Sequence, residues 1–127
     1  MNTLTNLYYS KDHIWVDIQD DIVRLGVTDH AQSTLGQIVF LDFPEEGSVL
    51  TTDNPFGSIE SIKTTSELIA PFSGKVLKVN TELEDNPEYV NESPYDKAWI
   101  LEVEAENLDS IHNLMSAKEY EDYVQEG

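Results

Sequence analysis

The sequence predicts a mainly β protein with short helices and a helical C-terminal region, and three observations support this fold class. Most of the 127 residues form short alternating or apolar runs that Gly, Pro, Asn and Asp separate, as in strands joined by turns. From residue 107 onward the apolar residues change to helical spacing. A weak repeat relates residues 36–41 to residues 74–79. Two similar halves of about four strands each would pack as a flattened barrel or sandwich.

The first predicted elements are a hairpin and a capped helix. Residues 14–18 and 22–27 alternate in polarity at near period two, and the aspartates at 20–21 favour a turn between them. Thr28 is a residue type that caps the start of a helix, and Gly36 is the type that ends one. We therefore expect two antiparallel strands followed by a helix between Thr28 and Gly36.

Further strands are predicted through the middle of the chain. The strongest patterns lie at residues 37–43, 58–62, 75–80 and 98–103. Pro55 and Gly57 are expected to interrupt the chain before the second of these, since both residue types weaken a strand. Another strand is expected to begin at Leu68, so that the segment from residue 63 to residue 66 forms the tip of a hairpin.

Two helical features are predicted in the C-terminal half. Asn86 is expected to cap a short helix that has Pro87 at its first position. Ser116 and Glu119 form the pattern of a capping box, which opens another helix near the end of the chain. We expect the region of about 107–125 to form a helical cap on the sheet, because its apolar residues have the spacing of one buried helix face.

Size and composition predict a single domain, residues 1–127, without disulfide or metal chemistry. This length suits one hydrophobic core. The chain has no cysteine, which excludes disulfides and thiolate metal ligands. His13, His30 and His112 are far apart in the sequence and lack the spacing of metal ligands, so no metal site is predicted.

The net charge of −18 argues against nucleic acid and anionic membrane surfaces as partners, because both would repel the chain. The charge either keeps the protein soluble or steers it toward basic partner surfaces. No apolar run approaches the roughly 18 residues of a membrane span. Residues 1–10 lack the basic cluster and apolar core of a signal peptide. We expect a cytoplasmic protein, or a mitochondrial matrix protein if a transit peptide has been removed.

No arrangement of catalytic residues stands out, and the protein is predicted not to be an enzyme. The sequence has no Gly-rich phosphate loop, no G-x-S-x-G and no H-E-x-x-H. With 25 carboxylates in the chain, any chosen pair carries little meaning. Lys63 is different in its placement, because it lies at the predicted hairpin tip with a long flexible stem. Position alone favours an ordinary solvated loop lysine.

The residues around Lys63 resemble a known attachment motif. Glu60-Ser61-Ile62-Lys63, followed by Ala70-Pro71-x-x-Gly74, is similar to the lipoyl-attachment motif of the H proteins of the glycine cleavage system. The similarity covers roughly residues 8–125. The other matching segments are His13-x-Trp15, GVTDHAQ at 26–32, LGQIVF at 35–40, Asn80, LEDNPE at 83–88, VN at 90–91, SPY at 93–95, Trp99 and Ala117-x-x-Tyr120.

This resemblance implies a lipoyl-type barrel-sandwich hybrid with helices added at the C-terminus, and a carrier function. Lipoate would be joined by an amide to Lys63. It would carry the aminomethyl group of glycine from the pyridoxal-dependent glycine decarboxylase (P protein) to the aminomethyltransferase (T protein), and dihydrolipoyl dehydrogenase (L protein) would reoxidise it. A lipoate ligase or a lipoyl/octanoyl transferase would attach it. Glu60 and Glu67 either help that enzyme recognise the hairpin or act as solubilising charges.

Two positions depart from the family pattern. Ile14 stands where the family usually has an acidic residue, which lies in the cleft that shelters the arm and can pair with a cationic amine. Isoleucine cannot form that pair, and Asp12 or Glu67 are the candidates to compensate. Residues 96–98, before Trp99, are a milder departure, because glycine is common there.

These departures leave alternatives to a carrier in glycine breakdown. An H-like protein that relays lipoate, or serves as a lipoylation scaffold, would keep Lys63 and lose the amine-binding carboxylate. A biotin carrier is disfavoured because the neighbours of the lysine are Ile62 and Thr64, where biotin domains have methionine. A lipoyl domain of a 2-oxoacid dehydrogenase is disfavoured because such domains lack a C-terminal helical region.

Overall fold

The computed structural model of the chain describes residues 6–20 and 22–126. No helix within these residues is long and apolar enough to cross a membrane. In chain order the elements are β1 (Tyr8–Tyr9), β2 (Ile14–Gln19), β3 (Ile22–Val27), α1 (Asp29–Leu35), β4 (Ile38–Asp42), β5 (Val49–Leu50), β6 (Pro55–Ser61), β7 (Thr65–Ile69), β8 (Gly74–Val79), α2 (Glu82–Asp85), α3 (Tyr89–Glu92), β9 (Leu101–Ala105), α4 (Leu108–His112) and α5 (Ala117–Glu126).

The strands form two antiparallel sheets that pack against each other. The larger sheet has the order β1-β2-β3-β9-β8-β5, and the smaller sheet has the order β4-β6-β7. Leu25 and Val103 from the larger sheet share one buried cluster with Leu41 and Ile59 from the smaller sheet. This shared core confirms the predicted mainly β, two-layer fold. The repeat-related strands β4 and β8 lie in different sheets, but the sheets contain three and six strands rather than two equal sets.

The predicted hairpin and first helix are confirmed. β2 and β3 pair antiparallel along their whole length. Asp20 occupies the turn with a φ of 59°, and the other predicted turn residue, Asp21, lies outside the described residues. The Thr28 hydroxyl accepts a hydrogen bond from the backbone N–H of Ala31 at 3.2 Å, as an N-cap does. Gly36, with a φ of 86°, ends α1.

The prediction that Pro55 and Gly57 lie before the strand is wrong, because both belong to β6. Pro55 is the first residue of the strand, where a missing N–H is tolerated, and the register shifts between Pro55 and Gly57. β7 likewise begins at Thr65 rather than at Leu68, because residues 65–68 pair with β6. The hairpin tip is therefore shorter than the sequence suggested.

The predicted helix cap at Asn86 is also wrong. Asn86 follows α2 as its C-cap, and its backbone N–H donates to the Glu82 carbonyl at 2.9 Å. The next helix, α3, begins only at Tyr89. Each of these short helices buries one apolar side chain, Leu83 in α2 and Val90 in α3. Burial of these two residues sets the helix positions, and it outweighs the local preference of Asn-Pro to open a helix.

The last strand begins at Leu101, three residues later than its predicted start at 98. The buried side chain of Asn80 explains the delay. Its amide donates hydrogen bonds to the backbone carbonyls of Lys97 and Trp99 at 2.9 and 2.8 Å. Those carbonyls are thereby held by a side chain, and the chain enters the strand ladder only after them.

The C-terminal helical cap packs on the N-terminal edge of the larger sheet. The predicted capping box is present, since the Ser116 N–H donates to a Glu119 carboxylate oxygen at 2.9 Å and the Glu119 N–H donates to the Ser116 hydroxyl at 3.2 Å. The Tyr120 ring of α5 stacks on the Tyr9 ring of β1, with 4.8 Å between centroids. Trp15 belongs to the same buried cluster. This cluster joins α5 to strands β1 and β2.

Gly57→Ala is expected to lower the free energy of unfolding by about 1–3 kcal/mol, the usual cost of overpacking. A Cβ at this position would clash with the backbone carbonyl oxygen of Asp42 on the neighbouring strand β4. Urea unfolding at equilibrium measures the change. Ser58→Ala, at the next and half-buried position, is the control and is expected to stay within about 0.5 kcal/mol of wild type. Equal stability of Gly57→Ala and wild type would show that β4 and β6 approach each other less closely than the structure places them.

Candidate functional site

Lys63 lies at the tip of the β6–β7 hairpin, and its backbone is held by Ser61. The buried Ser61 hydroxyl accepts hydrogen bonds from the backbone N–H groups of Lys63 and Thr64, both at 3.1 Å. The same hydroxyl donates to the Thr64 carbonyl at 3.2 Å. The Lys63 side chain itself is exposed. The hairpin therefore presents a solvent-accessible amine from a fixed backbone.

The Lys63 side chain lies against the C-terminal end of α1. Its Nζ donates to the Thr34 carbonyl at 3.3 Å. A Cβ on Gly36 would lie only 3.1 Å from Lys63 Cε, so the glycine leaves the space in which the lysine stem rests. Within the described residues no carboxylate forms an ion pair with this amine. A single long hydrogen bond to a carbonyl leaves the amine available for acylation.

A cleft of about 160 Å³ adjoins this lysine. Thr34 belongs both to the cleft wall and to the hydrogen bond with Lys63, so the cleft opens beside the amine. The cleft combines apolar side chains with carboxylates and imidazoles. Its apolar side chains are Val27, Ala31, Leu35, Ile59 and Leu68, and its titratable ones are Asp12, His13, His30 and Glu67. Such a mixture suits a ligand with an apolar chain and a cationic end.

The two histidines of the cleft are neighbours, which the sequence analysis missed. The ring centroids of His13 and His30 are 5.0 Å apart. The β2–β3 hairpin brings them together, because Ile14 pairs with Val27 and the Thr28 N–H donates to the His13 carbonyl at 3.1 Å. The hairpin register sets His13 opposite Thr28, and His30 follows two residues later in the first turn of α1, so the pair depends on the helix as well as on the hairpin.

His13 is held in its neutral form. Burial lowers its pKa below the usual value of 6.5, and the nearby His30 lowers it further, while Asp12 acts in the opposite direction. His13 Nδ1 lies 2.7 Å from the Tyr120 hydroxyl. Burial raises the pKa of that hydroxyl to about 12, so it stays protonated and can donate to the neutral imidazole. At neutral pH the imidazole adds no positive charge to the cleft.

Stability is therefore expected to fall as the pH drops below about 6.5, the ordinary histidine pKa. Because the pKa of His13 is lower in the folded chain, the unfolded chain binds a proton first, and acid favours unfolding. Urea unfolding at pH 7.5 and pH 5.5 should show a smaller loss of stability for His13→Gln than for wild type. Equal pH dependence in the two proteins would contradict the lowered pKa of His13.

Two exposed apolar residues lie near the lysine, and the strand patterns alone did not single them out. Phe40 on β4 is 56% exposed and Ile62 at the hairpin tip is 66% exposed. Phe40 pairs across the sheet with Glu60, which is exposed as well. Glu67, on β7, pairs with Ser58 and is also exposed. Because side chains alternate along a strand, Glu60, Phe40 and Glu67 share the outer face of the smaller sheet.

Comparison with known proteins identifies the family of the chain. Residues 7–127 match the sequence profile described as "Glycine cleavage H-protein". The chain belongs to the glycine cleavage H-protein family. It is 58% identical over 127 residues to the glycine cleavage system H protein of Geobacillus sp. (strain WCH70), with 100% of both chains covered. It is 56% identical over 127 residues to that of Halalkalibacterium halodurans, with 99% of both chains covered.

The fold agrees with an experimental structure of the H-protein family. The crystal structure of a glycine cleavage system H protein from Mycobacterium marinum superposes with a TM-score of 0.87 at 33% sequence identity. The alignment covers 98% of each chain. The two-sheet architecture and the C-terminal helix therefore have an experimental counterpart in the H-protein family.

Ile14, which stands where the H-protein family usually has an acidic residue, lies outside the cleft. Ile14 is 1% exposed and lies in the main core rather than in the cleft wall. Asp12 and Glu67, which the sequence named as candidates to compensate, both line the cleft. Glu60 lies outside it. Two acidic residues thus line the cleft of this H-protein family member even though its position 14 is apolar.

Metal ligands do not gather at this site. Within residues 6–20 and 22–126 no group of three or more His, Cys, Asp or Glu side chains is arranged to hold a metal ion. His112, the third histidine, lies away from the cleft and contacts Tyr8, with its Nδ1 3.0 Å from the hydroxyl. The chemistry of the site rests on one amine, two carboxylates and two imidazoles.

Proposed function

We propose that this chain is the lipoyl carrier of a glycine cleavage system, with lipoate joined by an amide bond to Lys63. The observation that supports this most is the placement of an exposed lysine on a fixed hairpin tip, beside a cleft. The space left by Gly36 and the accessible amine fit an acylated lysine. Bound lipoate would supply a dithiolane, the group that accepts and releases the aminomethyl group of glycine.

The protein itself would act as a carrier and not as an enzyme. The reactive sulfurs belong to the cofactor, so a chain without cysteine suffices. The two packed sheets hold the lysine backbone still, while the attached arm moves between active sites. Tethering replaces free diffusion with a local concentration on the order of mM.

The cleft would shelter the cationic amine of the cargo. Asp12 and Glu67 supply two carboxylates that can accept hydrogen bonds from a protonated amine. His13 stays neutral at pH 7, so it does not compete with that amine for the carboxylates. The apolar side chains of the cleft exclude water from an arm lying along them, which protects a reactive group from hydrolysis.

The outer face of the smaller sheet would be read by the enzyme that attaches lipoate. Glu60 and Glu67 lie on this face near Lys63, and exposed Phe40 pairs with Glu60. A lipoate ligase or a lipoyl/octanoyl transferase with basic side chains around its active site would be complementary to it. The decarboxylase, the aminomethyltransferase and dihydrolipoyl dehydrogenase are the further partners, and the net charge of −18 favours basic docking surfaces on them as well.

The relatives favour this role over lipoate relay. Proteins that are 54–58% identical over the full chain carry the name glycine cleavage system H protein. They come from bacteria, so we place the protein in the cytoplasm. The two cleft carboxylates remove the main reason for a relay-only protein, which was the loss of a charge at Ile14.

A glycine–bicarbonate exchange assay tests the proposal. The lipoylated protein is mixed with purified glycine decarboxylase, pyridoxal phosphate, glycine and labelled bicarbonate, and incorporation of label into glycine is measured. We expect exchange that depends on the carrier and saturates with it. If the lipoylated protein supports no exchange but donates lipoate to other acceptor domains, the relay function is correct instead.

A further inference from the structure

The side chain of Asn91 connects three parts of the chain next to the candidate site. Its amide nitrogen donates to the Gly36 carbonyl at 2.8 Å and to the Gln32 side-chain oxygen at 3.0 Å. Its amide oxygen accepts from the Ile38 N–H at 2.9 Å. Asn91 lies on α3, far from this segment in sequence. These three bonds fix the corner between α1 and β4, which we call the α1–β4 corner and define as residues 34–38.

The α1–β4 corner in turn contacts the hairpin tip at three points. The Gln37 carbonyl accepts the Ile62 N–H at 3.0 Å. The Thr34 carbonyl accepts Lys63 Nζ at 3.3 Å, and Gly36 lies against the Lys63 stem. Asn91 binds the residues on both sides of Gln37. Movement of the corner would therefore move the surface on which the lysine rests.

We propose that Asn91 is a positioning residue for acylation of Lys63, acting through the α1–β4 corner. This inference rests on the proposed function, since it concerns how the lysine is presented to the attaching enzyme. Only an amide can serve here, because the site needs two donors and one acceptor from one short side chain. An aspartate would place a carboxylate against the Gly36 carbonyl and the Gln32 side-chain oxygen, and an alanine would leave all three groups without this partner.

The test compares two chemistries at the same lysine. Enzymatic lipoylation by a purified lipoate ligase needs the amine in one place, and a displacement of about 1 Å can reduce such a rate by roughly 10²-fold. Acetylation by a small reagent such as sulfosuccinimidyl acetate needs only a free amine. Peptide mass spectrometry then gives the acetylation of Lys63 relative to the exposed Lys75 in the same molecule. This ratio does not depend on the total amount of protein, and circular dichroism checks that each variant is folded before the reaction.

Asn91→Ala and Asn91→Asp are expected to change the two readouts in opposite directions. The ligase kcat/KM for Lys63 should fall by about tenfold or more, because the corner no longer holds the lysine in the geometry that the ligase needs. The Lys63-to-Lys75 acetylation ratio should rise, because the hydrogen bond to Thr34 is lost. Asn86→Ala is the matched control, since Asn86 is the C-cap of α2 and its side-chain amide donates to the Glu82 carbonyl rather than to the α1–β4 corner.

The milder variant Gln32→Ala removes one of the three bonds of Asn91 and should show both changes to a smaller extent, which keeps the test decisive if Asn91→Ala fails to fold. Unchanged ligase kinetics and an unchanged ratio in the folded variants would overturn the positioning role. A fall in ligase rate without a rise in the ratio would also contradict the proposal, because Lys63 would still be held against Thr34 and Asn91 would not act through the α1–β4 corner. Absence of lipoylation in the wild type would contradict the proposed function, which is a separate outcome.

Discussion

Lys63→Arg is expected to abolish glycine-dependent exchange and NADH formation in the reconstituted system, to the level measured without carrier. Arginine keeps the positive charge and a stem of similar length, so the hairpin should fold normally. Its guanidinium stays protonated and offers no free amine for amide formation. The readouts are label exchange with glycine decarboxylase alone and NADH absorbance with all partners present.

Lys75→Arg is the matched control for this experiment. Lys75 is also exposed, and it lies on β8, away from the β6–β7 hairpin. This variant should keep wild-type activity, which shows that the change of side chain is harmless elsewhere. Residual exchange above background with Lys63→Arg would mean that another group carries the cargo.

The second large effect is expected at the cleft carboxylates. The double variant Asp12→Asn/Glu67→Gln should lower kcat/KM for glycine-dependent exchange by roughly 5- to 30-fold, which corresponds to about 1–2 kcal/mol. Both residues line the cleft. The Asp12 side chain is 35% exposed and its carboxylate lies 3.8 Å from Lys11 Nζ, and Glu67 is exposed, so each contributes modestly to binding a cationic amine. The loss should be largest at low ionic strength, where charge pairing is least screened.

The control for this variant is Glu84→Gln/Asp109→Asn, which removes the same two charges outside the cleft. It separates loss of the local carboxylates from the smaller effect of net charge on docking to partners. Intact-mass analysis must show equal lipoylation of both double variants, because Glu67 also lies on the face proposed for recognition. Wild-type exchange kinetics in the fully lipoylated Asp12→Asn/Glu67→Gln protein would show that these two carboxylates do not bind the cationic amine of the cargo.

Local chemistry made part of the fold predictable. The Thr28 cap, the Gly36 helix end and the Ser116–Glu119 capping box depend on neighbouring backbone groups, and all three are present as expected. The predictions failed where contacts between residues far apart in the sequence determine the local structure. Asn80 holds carbonyls before β9, and burial of Leu83 and Val90 places the two short helices around Asn86.

The candidate site also has a part that was predictable from the sequence and a part that was not. The motif around Lys63 is continuous in sequence, so the lysine and its hairpin were predictable. The cleft is not continuous in sequence, because its walls come from the loop before β2, from β3, from α1 and from two strands of the smaller sheet. Its histidine pair depends on how α1 follows the β2–β3 hairpin, and the contacts of Asn91 follow from packing of α3 against α1. Neither can be read from residue spacing alone.

Intact-mass spectrometry after incubation with lipoate ligase, ATP and lipoate tests the central claim most directly. The wild-type chain should gain the mass of a single lipoyl group, and peptide mapping should place it on Lys63. The Lys63→Arg chain should keep its unmodified mass under the same conditions. A wild-type chain that stays unmodified, or a lipoyl group that maps to another lysine, would contradict the account.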